Sequence, residues 1–136
     1  MYIRFVRCST IMKNYSTFGE SLAAILNALD LKCSKMAKEI NVDPSLIYKW
    51  LREERVPSYD TSYVELISNY IATKITNNFQ MEAITDLLDK YGFETSGISN
   101  KDILDKIRTW LQESQGYSIK LKKKEKTNKK KDSDNV

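Results

Sequence analysis

Apolar residues along this chain recur at three- and four-residue intervals, and the alternation expected of a strand is almost absent. Phe18, Leu22, Ile25, Leu26 and Leu29 fall on one face of a first helix, expected over about 17–29. Met36, Ala37 and Ile40 mark a short second helix. The pattern halts at Asn41-Val42-Asp43-Pro44 and restarts with Leu46, Ile47 and Trp50. Asp43 has the chemistry of an N-cap and Pro44 that of a first helical residue, whose missing N–H is not needed there, so a third helix is expected over about 44–51. Residues 52–58 read as a polar connection closed by Pro57.

Tyr63, Leu66, Ile67, Tyr70, Ile71 and Ile75 then predict a fourth helix over about 61–76. Met81, Ile84, Leu87, Leu88 and Tyr91 predict a fifth, with Asn77 or Asn78 as its cap and Gly92 as its stop. After the loop GFETSGISN, Ser99 or Asn100 can cap a sixth helix over about 101–114. Its inward face is Ile103, Leu104, Ile107, Trp110 and Leu111, and Gly116 is expected to end it. The fold class is therefore all-α, with no internal repeat of the solenoid kind.

The 136 residues are 41% hydrophobic and include only four Gly and two Pro, which suits one compact domain with appendages. No apolar run approaches the roughly 18–20 residues needed to cross a bilayer, and the start carries no signal-peptide pattern. A cytoplasmic, nucleoid-associated protein that does not engage a membrane is the expectation. Residues 1–16 read as an N-terminal arm, within which Met12 opens a second plausible beginning, MKNYSTFGESL. Two cysteines without a CxxC spacing, and no histidine, leave no zinc-ligand set and no histidine-dependent triad. Cys8 and Cys33 are expected as isolated thiols, and no metal or other cofactor is expected.

The net charge of +4 is unevenly placed. From Ser118 onward eight lysines face only Glu125, Asp132 and Asp134, whereas residues 1–117 hold 14 basic and 15 acidic residues. The segment 118–136 is nearly free of apolar residues and is expected to be a disordered basic tail. Its lysines can bind phosphate non-specifically.

The stretch MAKEINVDPSLIYKW, residues 36–50, is where chemistry enters. Two short helices joined by three or four residues must turn sharply, as in a helix-turn-helix. Such a corner needs a small residue where the helices approach, supplied by Ala37. It needs a residue tolerant of positive φ in the turn, for which Asn41 serves. It also needs apolar residues pointing back at the corner, supplied by Ile47 and Trp50.

On these residues, 18–58 resemble the DNA-binding domain of the lambda-repressor-like family, the Cro-type phage and bacterial regulators. MAKEINVDPSLIYKWLREERVPS matches helix two, turn, helix three and the following loop, at Ala37, Asn41, Val42, Ile47, Trp50 and Pro57-Ser58. The resemblance covers under half of the chain. It implies that helix three enters the major groove and that helix two spans the backbone with its N-terminus toward phosphate. Base contacts would then fall to Pro44, Ser45, Tyr48 and Lys49, with Lys49 donating to guanine O6 or N7. Phosphate contacts would fall to Lys32, Ser34, Lys35, Arg52 and Arg55. The chain departs from the family at Cys33, where Gln is frequent, and at Glu53 and Glu54, where a Gly and a basic residue are common. Residues 31–58 therefore carry six basic against four acidic residues, a modest surplus.

The functional expectation is a sequence-specific DNA-binding transcriptional regulator, a repressor, acting on double-stranded DNA as a homodimer. Residues 17–76 would form the helix-turn-helix domain and 77–117 a C-terminal helical region available for dimerisation, with Tyr91 and Trp110 weighed as interface or core. The alternative is a DNA-anchored assembly or adaptor protein, such as a plasmid-partition or phage component, binding a protein partner through residues 61–114. An enzyme is not expected: Asp86 with Asp89, and Asp102 with Asp105, are ordinary helical pairs without a catalytic motif around them.

Overall fold

Three helices in this chain start on a side-chain acceptor, and four stop at a left-handed residue. A computed structural model describes residues 16–95 and 99–134. Among the described residues there are six helices and no strand: α1 Phe18–Ala28, α2 Cys33–Ile40, α3 Pro44–Leu51, α4 Tyr63–Thr73, α5 Asn78–Lys90 and α6 Asn100–Asp134. Thr17 and Glu20 make a reciprocal capping box at α1, Asp43 takes the Ser45 amide at α3, and Asn77 takes the Gln80 amide at α5. Ser99 and Asp102 exchange longer contacts of 3.4 and 3.5 Å at the start of α6.

Four helix ends share one device. Asp30, Asn41, Glu53 and Gly92 all have positive φ. In each case the next residue's N–H reaches back to the carbonyl five residues earlier, as Val42 does to Ala37 at 2.9 Å and Glu54 to Lys49 at 2.9 Å. This Schellman arrangement satisfies carbonyls that the helix itself leaves open. Asn41 and Gly92 meet the expectation for their positions. Asp30 and Glu53 adopt the same backbone without the residue type that announces it.

The eight-residue helices α2 and α3 are too short to be stable alone. They are held by burial of Met36, Ala37, Ile40, Ile47 and Trp50, all within one core. Each large side chain so buried contributes roughly 1.5–3 kcal/mol. Phe18 meets Trp50 edge-on with ring centroids 6.0 Å apart, and Tyr63 lies tilted against the same indole at 5.1 Å. α1 packs on α3, α5 and α6, and α6 lies along α4, so Ile84, Leu88, Ile103, Ile107 and Leu111 join the same core as the corner.

Several expectations are corrected. α4 ends at Thr73, short of 76, and Asn77 serves only as the cap of α5. Ser16, assigned to the arm, is buried and accepts the indole N–H of Trp110 at 3.2 Å. Trp110, weighed as interface or core with core packing favoured, is core, its ring tilted against Tyr91 with centroids 4.7 Å apart. The rest of the arm, with Cys8, lies outside the described residues, as do 96–98 of the loop.

The largest correction concerns the tail. Gly116 does not end the last helix: α6 continues to Asp134, so the segment from Ser118, expected to be disordered, is helical through that residue. A glycine inside a helix costs roughly 0.5–1 kcal/mol relative to alanine. Against it, Ser118 is buried, accepts the Phe18 amide at 2.8 Å and donates to a Glu53 carboxylate oxygen at 2.8 Å. Hydrogen bonds to a charged group contribute about 1.5–3 kcal/mol, which outweighs the glycine.

Candidate nucleic-acid interface

The corner forms as its residues dictate. Asn41 sits at φ 62° and ψ 47°, closing α2, and two residues later Asp43 opens α3. Ala37 is fully buried where a larger side chain would hold the helices apart. Ile47 and Trp50 face inward, which commits the opposite side of α3 to solvent. That side carries Pro44, Ser45 and Tyr48, all exposed, with Tyr48 at 47%, and the half-exposed Lys49. The four residues named from sequence as base-contacting thus share one outward face.

Lys32, Ser34 and Lys35 are exposed at the opening turn of α2. Lys32 occupies the N-cap position without a side-chain capping bond, in contrast to Thr17, Asp43 and Asn77. Cys33 is half-buried, and desolvation pushes its thiol above the ordinary range, opposed by a weaker backbone hydrogen bond, so the group is neutral near pH 7. Asp43, fully exposed, is held below the usual aspartate range, first by the backbone N–H of Ser45 and then by its side chain.

Arg52 and Arg55 are exposed just past α3. Arg52 donates to the Glu54 carboxylate, with the two side chains 60% and 52% exposed. Such a pair is worth little in water and yields readily to a stronger anion.

Glu53 is half-buried at the exit of α3. Its carboxylate turns inward, taking the Gly19 amide through Oε2 and the Ser118 hydroxyl through Oε1. Its carbonyl takes the Lys122 ammonium at 2.6 Å. The negative charge lies at the N-terminus of α1, where the helix dipole favours it. Gly19 has no room for a side chain: a Cβ there would stand 2.6 Å from the Trp50 carbonyl and 2.7 Å from that of Leu51.

Sequence reasoning missed this junction. Gln115 donates to the Pro57 carbonyl at 2.6 Å, so residues 115, 118 and 122, spaced three and four apart on α6, grip the connection that leaves α3. One signal was available. The buried positions 103, 107, 110 and 111 continue with helical spacing into Ser114, Gln115 and Ser118, small or polar residues that an apolar search passes over.

Among the described residues, no three His, Cys, Asp or Glu side chains gather as a metal site, and no helix is long and apolar enough to cross a membrane. No protein-family model matches the chain, and neither the curated proteins nor the solved structures provide a match.

Proposed function

We propose that this chain is a sequence-specific DNA-binding transcriptional regulator, a repressor, whose helix α3 reads the major groove. The observation that carries the reading is the outward face Pro44, Ser45, Tyr48 and Lys49 on a short helix braced by Ile47 and Trp50. An α-helix fits the major groove, and a lysine and a phenol on its exposed side can meet base edges. The uncapped first turn of α2, with Lys32, Ser34 and Lys35, suits a backbone phosphate. Arg52 and Arg55 suit a second. A homodimer reading two half-sites about one helical turn apart would supply the specificity that one small corner lacks.

The test is selection of bound duplexes from a random pool, followed by binding of the selected site and of random DNA to the native chain and to a Tyr48→Ala, Lys49→Ala variant. Loss of discrimination with the helical content intact supports the reading. Unchanged discrimination removes α3 from it. A palindromic selected site would support the dimer.

A second reading, a DNA-anchored assembly or adaptor protein, is favoured by Phe79, which is 82% exposed in the first turn of α5. An isolated large aromatic ring in water suits a protein contact. Here Phe79→Ser would abolish capture of a protein partner while leaving DNA binding unchanged.

A further inference from the structure

We infer that the lysine-bearing end of α6 is a second phosphate-binding element, which lies on duplex DNA flanking the site read by α3. The inference rests on the DNA-binding reading and adds to it a place, a length and a charge. Its first support is anchorage. Ser118 and Lys122 tie α6 to Glu53, the residue between Arg52 and the Glu54-Arg55 pair at the end of α3. The basic end of α6 therefore leaves the body beside the residues assigned to phosphate.

Its second support is form. From Lys122 to Asp134 the backbone is helical, and at 1.5 Å per residue this part of α6 extends about 18 Å. Lys124 is exposed, and Lys126, Lys129, Lys130 and Lys131 follow along the same helix. A duplex offers one phosphate charge per roughly 1.7 Å of axis, so an extension of this length spans about five base pairs. Charge supplies the third support. Residues 59–117 hold five basic against nine acidic residues, so the rest of the C-terminal half repels DNA, and the cationic surplus is confined to this one extension. It lacks an apolar stripe of the kind that seats a helix in a lipid surface.

The experiment compares the full-length chain with a variant carrying Lys124→Gln, Lys126→Gln, Lys129→Gln and Lys130→Gln. Glutamine preserves helix propensity while removing charge. Both are titrated with the selected duplex, once cut to the bound site and once extended on each side, across a salt series. Each phosphate contact contributes about 0.9 to the slope of log affinity against log salt, so the variant should lose about 2–3 from its slope and bind about tenfold or more weakly at low salt. The native chain should gain affinity on the extended duplex, and the variant should not. An unchanged slope and an unchanged gain from the flanks would overturn the inference while leaving the reading of α3 in place. Native protein that prefers no duplex at any ionic strength would remove both. Binding to phosphatidylserine vesicles that the variant loses, with the DNA slope unaltered, would assign the extension to a lipid surface and overturn it as well.

Discussion

The carboxylate of Glu53 accepts the amide proton of Gly19, so the exit of α3 is locked to the first turn of α1. Thirty-four positions separate the two in sequence. Neither residue can be exchanged freely. Glu53 holds a left-handed backbone that glycine adopts at lower cost, and Gly19 faces backbone carbonyls that leave no space for a methyl group.

Gly19→Ala should therefore destabilise the fold by about 1–3 kcal/mol, because two of the three atoms it meets, the Trp50 and Leu51 carbonyl oxygens, are main chain and cannot swing aside. Alanine is otherwise the better helix former, so propensity alone predicts a gain. A lower midpoint in urea or on heating decides for the steric account.

Glu53→Gly poses two effects against each other. Relief of the left-handed backbone returns about 1 kcal/mol. Removal of the carboxylate strips the Gly19 amide and the Ser118 hydroxyl of a charged acceptor, at about 1.5–3 kcal/mol for each bond, less for the part that solvent screens. Net destabilisation is expected in chemical denaturation.

Truncation separates the docked part of α6 from its extension. Ending the chain after Tyr117 removes Ser118 and Lys122 and leaves buried groups without partners, which should cost on the order of 3 kcal/mol. Ending it after Lys124 keeps both and should change stability by less than about 0.5 kcal/mol. Equal midpoints for the two truncations would show that the junction carries no stability.

Asp43 gives a pH signature. Its carboxyl is held below the ordinary aspartate range chiefly by the Ser45 backbone N–H, so its cap is at full strength above that range and is lost as pH falls through the lowered value. Asparagine caps about as well and does not titrate. Asp43→Asn should leave stability at neutral pH nearly unchanged and flatten the acid limb, measured by denaturation between about pH 2 and 7.

The corner was legible because its determinants are local. Asn41, Asp43 and Pro44 act on backbone within a few residues of themselves, and Ile47 and Trp50 follow simple periodicity. The exposed positions on α3 came with them, since an inward face fixes an outward one. The end of α6 was not legible, because Gly116 carries a stop signal that only distant partners override. Those partners, Phe18 and Glu53, lie 100 and 65 residues from Ser118. Glu53 also concealed its own turn, since a left-handed glutamate resembles any other glutamate until its bonds are seen.

The spacing of Gln115, Ser118 and Lys122 sets a rule for how this chain can vary in length. One residue inserted in α6 between Trp110 and Gln115 would rotate all three by about 100° around the helix axis and carry them off the connection after α3. Additions to the turn between α5 and α6 alter no such phase. Drift in chain length should therefore collect in that turn and spare the stretch from Trp110 to Lys122.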